Sequence, residues 1–417
     1  MMIDVRAGEQ KIKNIKGNRI NGGGRVSSVR HFPLDKRGRV RRTCTLIVTR
    51  RCNLNCTYCY EDYKCMDETF DMSFTTAKSI LVKEFDSVAN FESGDCEIEI
   101  DFMGGEPLMN FSLIRQVVEW LEKEPPPVPY ICFATTNGTL AAQHKDWLIR
   151  HRERFILGLS FDGTDEMQMS NRGTKAGCSV SIDLFRSLYP SQGFHMTVSR
   201  KSLRKLAEGV LFLQRRGCTV EVALAQGEEW EDVDAEEYKH QLEILALAYL
   251  SDKLLNPINL FCRFLGGIDG KPESVSQQKY CGTGTNMVAY DYNGKKYGCH
   301  LFTPLVLGAN ARTCDEIKFP RAVEDEFCRF CVLKSVCPTC AGFNYRDRGD
   351  IRLRDHRWCN LVLQQFKVTS VFQMKYIVSL ISPTSEDVRY LRAARKAKDV
   401  IDMVTARHAP FCLSEGE

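Results

Sequence analysis

The sequence has no long apolar run. Its longest, Ile244 to Leu250, falls far below the roughly 20 residues a helix needs to cross a bilayer, which argues against a membrane-spanning helix. The start of the chain is basic but has no apolar core, so no signal peptide is read there. No C-x-x-C-H occurs, which excludes attached c-type haem. Neither sign of charge dominates: 57 Lys and Arg against 53 Asp and Glu leave a net charge of +4, too mild to imply nucleic acid. Internal repeats and low-complexity tracts are missing too. What is plentiful is cysteine. Nineteen in 417 residues are too many for an ordinary cytosolic enzyme and too thinly spread for a secreted disulfide scaffold. The expectation is a cytoplasmic protein whose cysteines stay reduced, most of them there for metal. An apolar content of 43% allows a normal core, and the length allows a barrel-sized catalytic domain plus smaller units.

The densest motif is Cys52-Asn-Leu-Asn-Cys56-Thr-Tyr-Cys59. Three sulfurs spaced x3 then x2 can point at three corners of one 4Fe–4S cube, which wants four thiolates, and so leave one iron open. Zinc is the alternative ligand for such a set. The stretch before it, Thr43 to Thr49, is apolar and β-branched and predicts a buried strand. A loop at the carboxyl end of such a strand lies where α/β folds bind ligands. A second motif, Phe102-Met-Gly-Gly-Glu-Pro107, ends the next strand. Its paired glycines let backbone approach a ligand closely, and Glu106 can accept from an ammonium group. A simple strand-to-helix turn opened by proline is the other reading.

From Thr43 to Gln226 strands and helices alternate. Strands are predicted at Cys44–Thr49, Cys96–Phe102, Tyr130–Thr136, Phe155–Ser160, Phe194–Ser199 and Thr219–Ala225. Helices are predicted at Phe74–Val88, Phe111–Lys123, Ala141–His151, Val180–Tyr189 and Leu203–Arg215. Such alternation means a parallel sheet with helices outside, and six units make a partial, open barrel of α/β class. The expected division is a basic arm over 1–43, the barrel over 44–230, a bridging helical region over 231–265, a cysteine-rich domain over 266–360, and a C-terminal helix with a charged tail over 361–417. The arm reads as solvated chain or as an electrostatic dock for an acidic peptide; no interleaved aromatics support nucleic acid.

The cysteine triad, with aromatic Tyr58 before its third member, and the Gly-Gly-Glu-Pro turn together resemble the radical S-adenosylmethionine (SAM) superfamily. The resemblance implies a partial (β/α)6 TIM barrel and a SAM-binding 4Fe–4S cluster on Cys52, Cys56 and Cys59. It implies that Gly104, Gly105 and Glu106 hold the amino group of SAM, and that later strand ends contact its ribose and carboxylate. The matching positions are Asn137, Ser160, Ser199 and Arg172, the last suited to a carboxylate by its fork; each has a turn-residue alternative. Such enzymes make a 5′-deoxyadenosyl radical that takes hydrogen from unactivated carbon.

Cys281, Cys299, Cys328, Cys331, Cys337, Cys340 and Cys359, in this order, resemble the SPASM domain found in members of that superfamily, which carries two auxiliary 4Fe–4S clusters. Asp291 to Tyr297, with Asn-Gly at its centre, fits the hairpin expected between the first two. The resemblance assigns Cys328, Cys331, Cys337 and Cys359 to a distal cluster and Cys281, Cys299 and Cys340 to a proximal one; a zinc ribbon on Cys328, Cys331, Cys337 and Cys340 is the alternative. The x2 spacing of Cys337 and Cys340 departs from the usual x3. No cysteine stands a few residues before Cys281, the nearest upstream being Cys262. The expectation is therefore a proximal cluster with an iron open to a substrate thiolate.

SPASM members mostly modify peptides or proteins. In sulfatase maturases an aspartate follows the cysteine that closes the first hairpin, whereas here Cys299 is followed by His300. The reading is maturation of a ribosomally made precursor peptide by a cross-link, thioether favoured and carbon–carbon the other form. A sulfatase-maturase-type oxidase and a non-catalytic iron–sulfur protein are the alternatives. Expected partners are the precursor, a flavodoxin- or ferredoxin-type electron donor, and either a separate leader-binding protein or the chain's own basic arm. No catalytic base is assigned.

Overall fold

The structure, a computed structural model, describes residues 40–90, 96–173, 180–271, 281–319 and 325–406. The basic arm as far as residue 39, and Cys178 and Cys412, lie outside the described residues.

Among the described residues eight strands form: β1 Val40–Thr49, β2 Cys96–Gly104, β3 Tyr130–Thr136, β4 Phe155–Leu159, β5 Gly193–Val198, β6 Thr219–Leu224, β7 Met287–Tyr290 and β8 Lys296–Tyr297. Helices follow most of them: α1 Phe74–Ala89, α2 Phe111–Lys123, α3 Lys145–His151, α4 Asp165–Arg172, α5 Ile182–Leu188, α6 Leu206–Arg215 and α7 Asp232–Ser251, then α8 Pro304–Leu307, α9 Ala341–Arg348, α10 Trp358–Val378 and α11 Ser385–Ala406. One sheet runs β4-β3-β2-β1-β7-β8, and β5 and β6 pair separately. A bridge between Ser160 and His195 joins the two, so the wall continues from β4 to β5. Neighbours among the first six strands are parallel, as in the open six-unit barrel expected.

Alternation along the strands decides what faces what. On β1 and β2, Cys44, Leu46, Val48, Ile98, Ile100 and Phe102 are fully buried and share one core with residues of α1 and α2. The residues between them, Thr43, Thr45, Glu99 and Asp101 among them, line an interior cavity of about 550 Å³. The outer face is thus a dry helix-on-sheet core and the inner face a partly polar chamber. Caps start the helices: Ser73 accepts from the Thr76 amide before α1, and Thr164 from the Met167 amide before α4.

The hairpin expected in the cysteine-rich domain forms, with Gly294 at φ 84° in its turn. Its first strand, β7, pairs in parallel with β1, from Thr43 opposite Met287 to Leu46 opposite Tyr290. The hairpin therefore extends the barrel sheet. Two polar ties bolt it there. Glu84 of α1 accepts from Arg42 at 2.8 Å, Tyr290 at 2.5 Å and Lys296 at 3.3 Å. Burial works against its charge, but the Arg42 and Tyr290 bonds outweigh it and hold the carboxyl below its ordinary value. Arg50 pairs with Asp291 at 2.7 Å and lies over the rings of Phe70 and Tyr292. The stretch read as a charged tail contains α11, whose Tyr390, Leu391, Ala394, Ala397, Val400, Ile401 and Val404 are buried. Part of that face joins α10 and the cysteine loop in a second core.

Candidate cofactor and active site

The β1–β2 register slips where β1 ends: Ile47 pairs with Met103, but Thr49 with Gly104. This irregularity re-aims the chain into the loop carrying Cys52, Cys56 and Cys59. The loop lies directly on the Gly-Gly-Glu turn. The Gly105 amide donates to Thr49 O at 3.3 Å and the Glu106 amide to Arg51 O at 2.7 Å. Gly104 sits at φ 147°, and a Cβ there would fall 2.1 Å from Thr49 O; at Gly105 it would fall 2.5 Å from Arg51 O and 2.8 Å from the Cβ of Cys52. Both positions thus demand glycine. Arg51 itself is held by Asp71 and Glu68.

All three cysteines open into the 550 Å³ chamber, and with Cys65 and Lys64 they also line an adjoining cleft of about 370 Å³. Lys64 Nζ donates to Cys59 Sγ at 2.9 Å. Burial pushes the Cys52 thiol up to about 12 and raises that of Cys56 as well, so binding metal here would release protons. Three convergent thiols beside a roomy chamber fit a three-ligand 4Fe–4S cluster with space for a molecule on the fourth iron.

Of the other residues expected to meet SAM, Asn137, Ser160 and Arg172 line the same chamber, as do Gly104, Gly105 and Glu106. Glu106 is less free than expected. Its Oε1 accepts from the Leu108 amide at 3.0 Å and Thr136 Oγ1 at 2.7 Å, and its Oε2 from the Asn137 amide at 2.8 Å. One acceptor position of four is left. Burial raises its carboxyl despite these bonds. Arg172 is engaged as well. Its fork is already closed on Asp162, with Nε to Oδ2 at 3.1 Å and Nη2 to Oδ1 at 3.0 Å. Only its remaining N–H groups can serve a ligand. Ser199 is not among the residues lining the chamber. Its hydroxyl donates to Asn171 Oδ1 at 2.8 Å, and the residue caps the 3₁₀ turn Arg200–Lys205. Strand alternation explains this: Thr197 lines the chamber, and the chain turns before another inward position comes.

Several residues that line the chamber were given no role in it by the sequence reading. Tyr58 donates to Asp162 Oδ2 at 2.6 Å, pinning the aromatic of the triad to the barrel. Asp101 accepts from Thr45 at 3.2 Å; burial, then the charge of Glu99, push its carboxyl up to about 7. His300 lies in the wall with Tyr60 Oη 3.5 Å from its Nε2. Burial lowers it to about 4, so it is neutral at neutral pH. His195 and Glu99 line the chamber too. For Glu99, Asp101 and His195 the only signal was a polar residue at an inward strand position; Tyr58 and His300 lie outside the strands, beside cysteines of the motifs.

Beyond the barrel, Cys328, Cys331, Cys337, Cys340 and Cys359 line one smaller cavity of about 120 Å³. Cys340 also feels the charge of Cys281, as does Cys299. It therefore stands between the two expected sets rather than wholly in the proximal one. Cys281 is exposed and lies 3.0 Å from Thr283 Oγ1. Cys262 is buried, with its thiol bonded to the carbonyls of Ile258 and Pro257. Asp325, Cys328 and His356 approach within 4.8 Å of one another. The Asp325 carboxylate is occupied there by the amides of Phe327 and Arg354 and by His356, the work of a helix cap.

Residues 46–186 match the Radical SAM superfamily. This segment is a radical SAM domain, the mark of an enzyme superfamily that uses SAM and a 4Fe–4S cluster. Over 284 residues the chain is 27% identical to an uncharacterized protein of Methanocaldococcus jannaschii, covering 66% of this chain and 91% of that one. It is 28% identical over 165 residues to the Fe-coproporphyrin III synthase of Methanosarcina barkeri, and 24% over 183 residues to the radical SAM cyclopropyl synthase TigE of Paramaledivibacter caminithermalis. It spans 37% of the length of each of these two. Among solved structures, anSMEcpe with bound AdoMet superposes with a TM-score of 0.59 at 16% identity, covering 85% of this chain and 98% of that one. Streptococcus suis SuiB bound to its precursor peptide SuiA gives 0.52 at 16%, covering 76% of each. At such identities the likeness is one of fold. Among the described residues no helix is long and apolar enough to cross a membrane.

Proposed function

We propose that the protein is a radical SAM peptide maturase that installs a cross-link in a ribosomally made precursor. The observation that carries this reading is the convergence of the cysteine triad, the Gly-Gly-Glu turn, Asn137, Ser160 and Arg172 on one chamber of about 550 Å³. In this reading Cys52, Cys56 and Cys59 hold a 4Fe–4S cluster, and backbone at Gly104 and Gly105 with the last acceptor position of Glu106 receives the amino group of SAM. When bound, the cluster and SAM would supply the one-electron cleavage that yields a 5′-deoxyadenosyl radical. The chain's own part is to orient and to keep water out. Asn137 is held by its bonds to Asn53 and Thr139, and so offers fixed polar edges. Met103, Phe133 and Leu224 give the chamber apolar wall, which limits side reactions.

Cys328, Cys331, Cys337 and Cys359 would hold a distal auxiliary cluster, and Cys281, Cys299 and Cys340 a proximal one. The engagement of Cys262 with backbone carbonyls supports an open proximal iron, hence a thioether between a substrate sulfur and carbon. Peptide substrates are supported by the fold shared with SuiB, described with its precursor peptide, and with anSMEcpe, described with the Cp18Cys peptide. Fold coverage by anSMEcpe favours a second reading, oxidation of a protein side chain; His300 in place of the expected aspartate weighs against it. The two differ in product: oxidation of an alcohol side chain also removes two hydrogens, but only a cross-linked peptide resists separation of its joined residues by proteolysis. The test is anaerobic incubation of reconstituted protein with SAM, reductant and a cysteine-containing precursor, read by mass spectrometry. Iron spectra that change on adding a cysteine peptide support the open iron; spectra unchanged at saturation contradict it.

A further inference from the structure

Arg354 is 5% exposed and lines the cavity formed by Cys328, Cys331, Cys337, Cys340 and Cys359. Its backbone is fixed by the bond from its amide to Asp325 Oδ2 at 2.9 Å. Its side chain is another matter. Nε, Nη1 and Nη2 have no hydrogen-bond partner of good geometry among the described residues, and the side chain that they meet is the Cys337 thiol. A guanidinium does not lose its proton in a protein, and a buried, uncompensated charge is strongly unfavourable. Nearby acids are already engaged: Asp325 as a cap, Asp355 by Arg348 and Arg357. Nearby cations are engaged as well. Lys334 donates to Arg329 O at 3.0 Å, and Arg263 to Val336 O. Five donors of fixed positive charge are thus aimed into a pocket of sulfurs with no anion among the side chains to receive them.

We propose that Arg354 is the built-in counter-charge of the distal auxiliary cluster and sets its reduction potential. This rests on the reading of Cys328, Cys331, Cys337 and Cys359 as that cluster's ligands. Four thiolates make such a cluster anionic, and adding one electron makes it more so. A fixed positive charge at the sulfurs favours the reduced form, and net charge and hydrogen bonds to sulfur are the levers by which a protein moves these potentials. Arg354 is thus a positioning and tuning residue, remote from the radical chemistry.

The test is a reductive titration of the reconstituted full chain, monitored by paramagnetic resonance, with dithionite supplying the electron. It is run in a C52A/C56A/C59A background so that the barrel cluster is silent. The distal signal is the one lost when Cys337→Ala is added. Arg354→Met is expected to keep its iron and lower that cluster's reduction equilibrium about tenfold, 59 mV for a one-electron couple. Arg354→Lys is expected to keep most of the parent value. If neutral variants at 354 lose the distal iron while Arg354→Lys retains it, counter-charge is again supported. An unchanged potential in iron-replete Arg354→Met overturns the proposal, as does loss of iron in the lysine variant. A parent protein without any Cys337-dependent signal would instead refute the cluster reading itself.

Discussion

Asp162 is fully buried, and its four acceptor positions are filled by two bonds from Arg172, one from Tyr58 and one from the Thr197 amide. One carboxylate thereby fixes the loop of the cysteine triad, the end of α4 and strand β5. Removing it strands a buried guanidinium, so Asp162→Ala is expected to destabilise the protein by about 3–5 kcal/mol in urea denaturation. Asp162→Asn should cost less and still loosen Tyr58. Gly105→Ala should fold but fail to load the barrel cluster, because the new methyl group meets Arg51 O and Cys52; iron analysis should show about four irons fewer per chain. Asp101 gives a prediction with a sign. Its folded carboxyl is raised to about 7, mainly by burial, from an unfolded value of about 4. A raised acid costs stability once pH exceeds the unfolded value, and the cost is complete above the folded one. Asp101→Asn should therefore raise the melting temperature at pH 8 and change it little at pH 4. An equal effect at both would mean that the Asp101 carboxyl is not raised on folding.

At the scale of elements, the six barrel strands were legible to within a few residues, because each is a short β-branched run between breakers such as Pro125 to Pro129. The cysteine spacing and the glycine pair were legible as motifs because each is local in sequence, whereas the contacts that demand glycine, to Thr49, Arg51 and Cys52 on the neighbouring strand and loop, were not. The bonds that engage Arg172 and Ser199 were not legible, because their partners, Asp162 and Asn171, come from chain folded back on them, which spacing does not report. Helix α11 was missed although Tyr390, Leu391, Ala394, Ala397, Val400 and Ile401 recur every three or four residues; two of these are alanine, and arginines and lysines crowd the gaps. Leu391 is 2% exposed, so Leu391→Ala is expected to cost about 2–5 kcal/mol. Equal stability in urea would show that α11 is not docked. The pairing of β7 with β1 was also illegible, since a four-residue strand carries no sign of its neighbour.

For the molecule as a whole, the barrel and the cysteine-rich region share a sheet and are joined by the Glu84 and Arg50 ties. Binding in one should therefore be felt in the other. The basic arm adds a separate expectation: deleting residues 2–38 should raise KM for the full precursor and spare SAM cleavage without peptide. Unchanged precursor kinetics would make the arm a bystander. The central claim is that Cys52, Cys56 and Cys59 build a SAM-cleaving centre in the chamber. Its most direct test is the yield of 5′-deoxyadenosine from anaerobically reconstituted protein given SAM and dithionite. The wild type should form it, and C52A/C56A/C59A, expected to hold about four irons fewer per chain, should form none. Deoxyadenosine from the triple variant at the wild-type rate, or none from iron-replete wild type, would contradict the account.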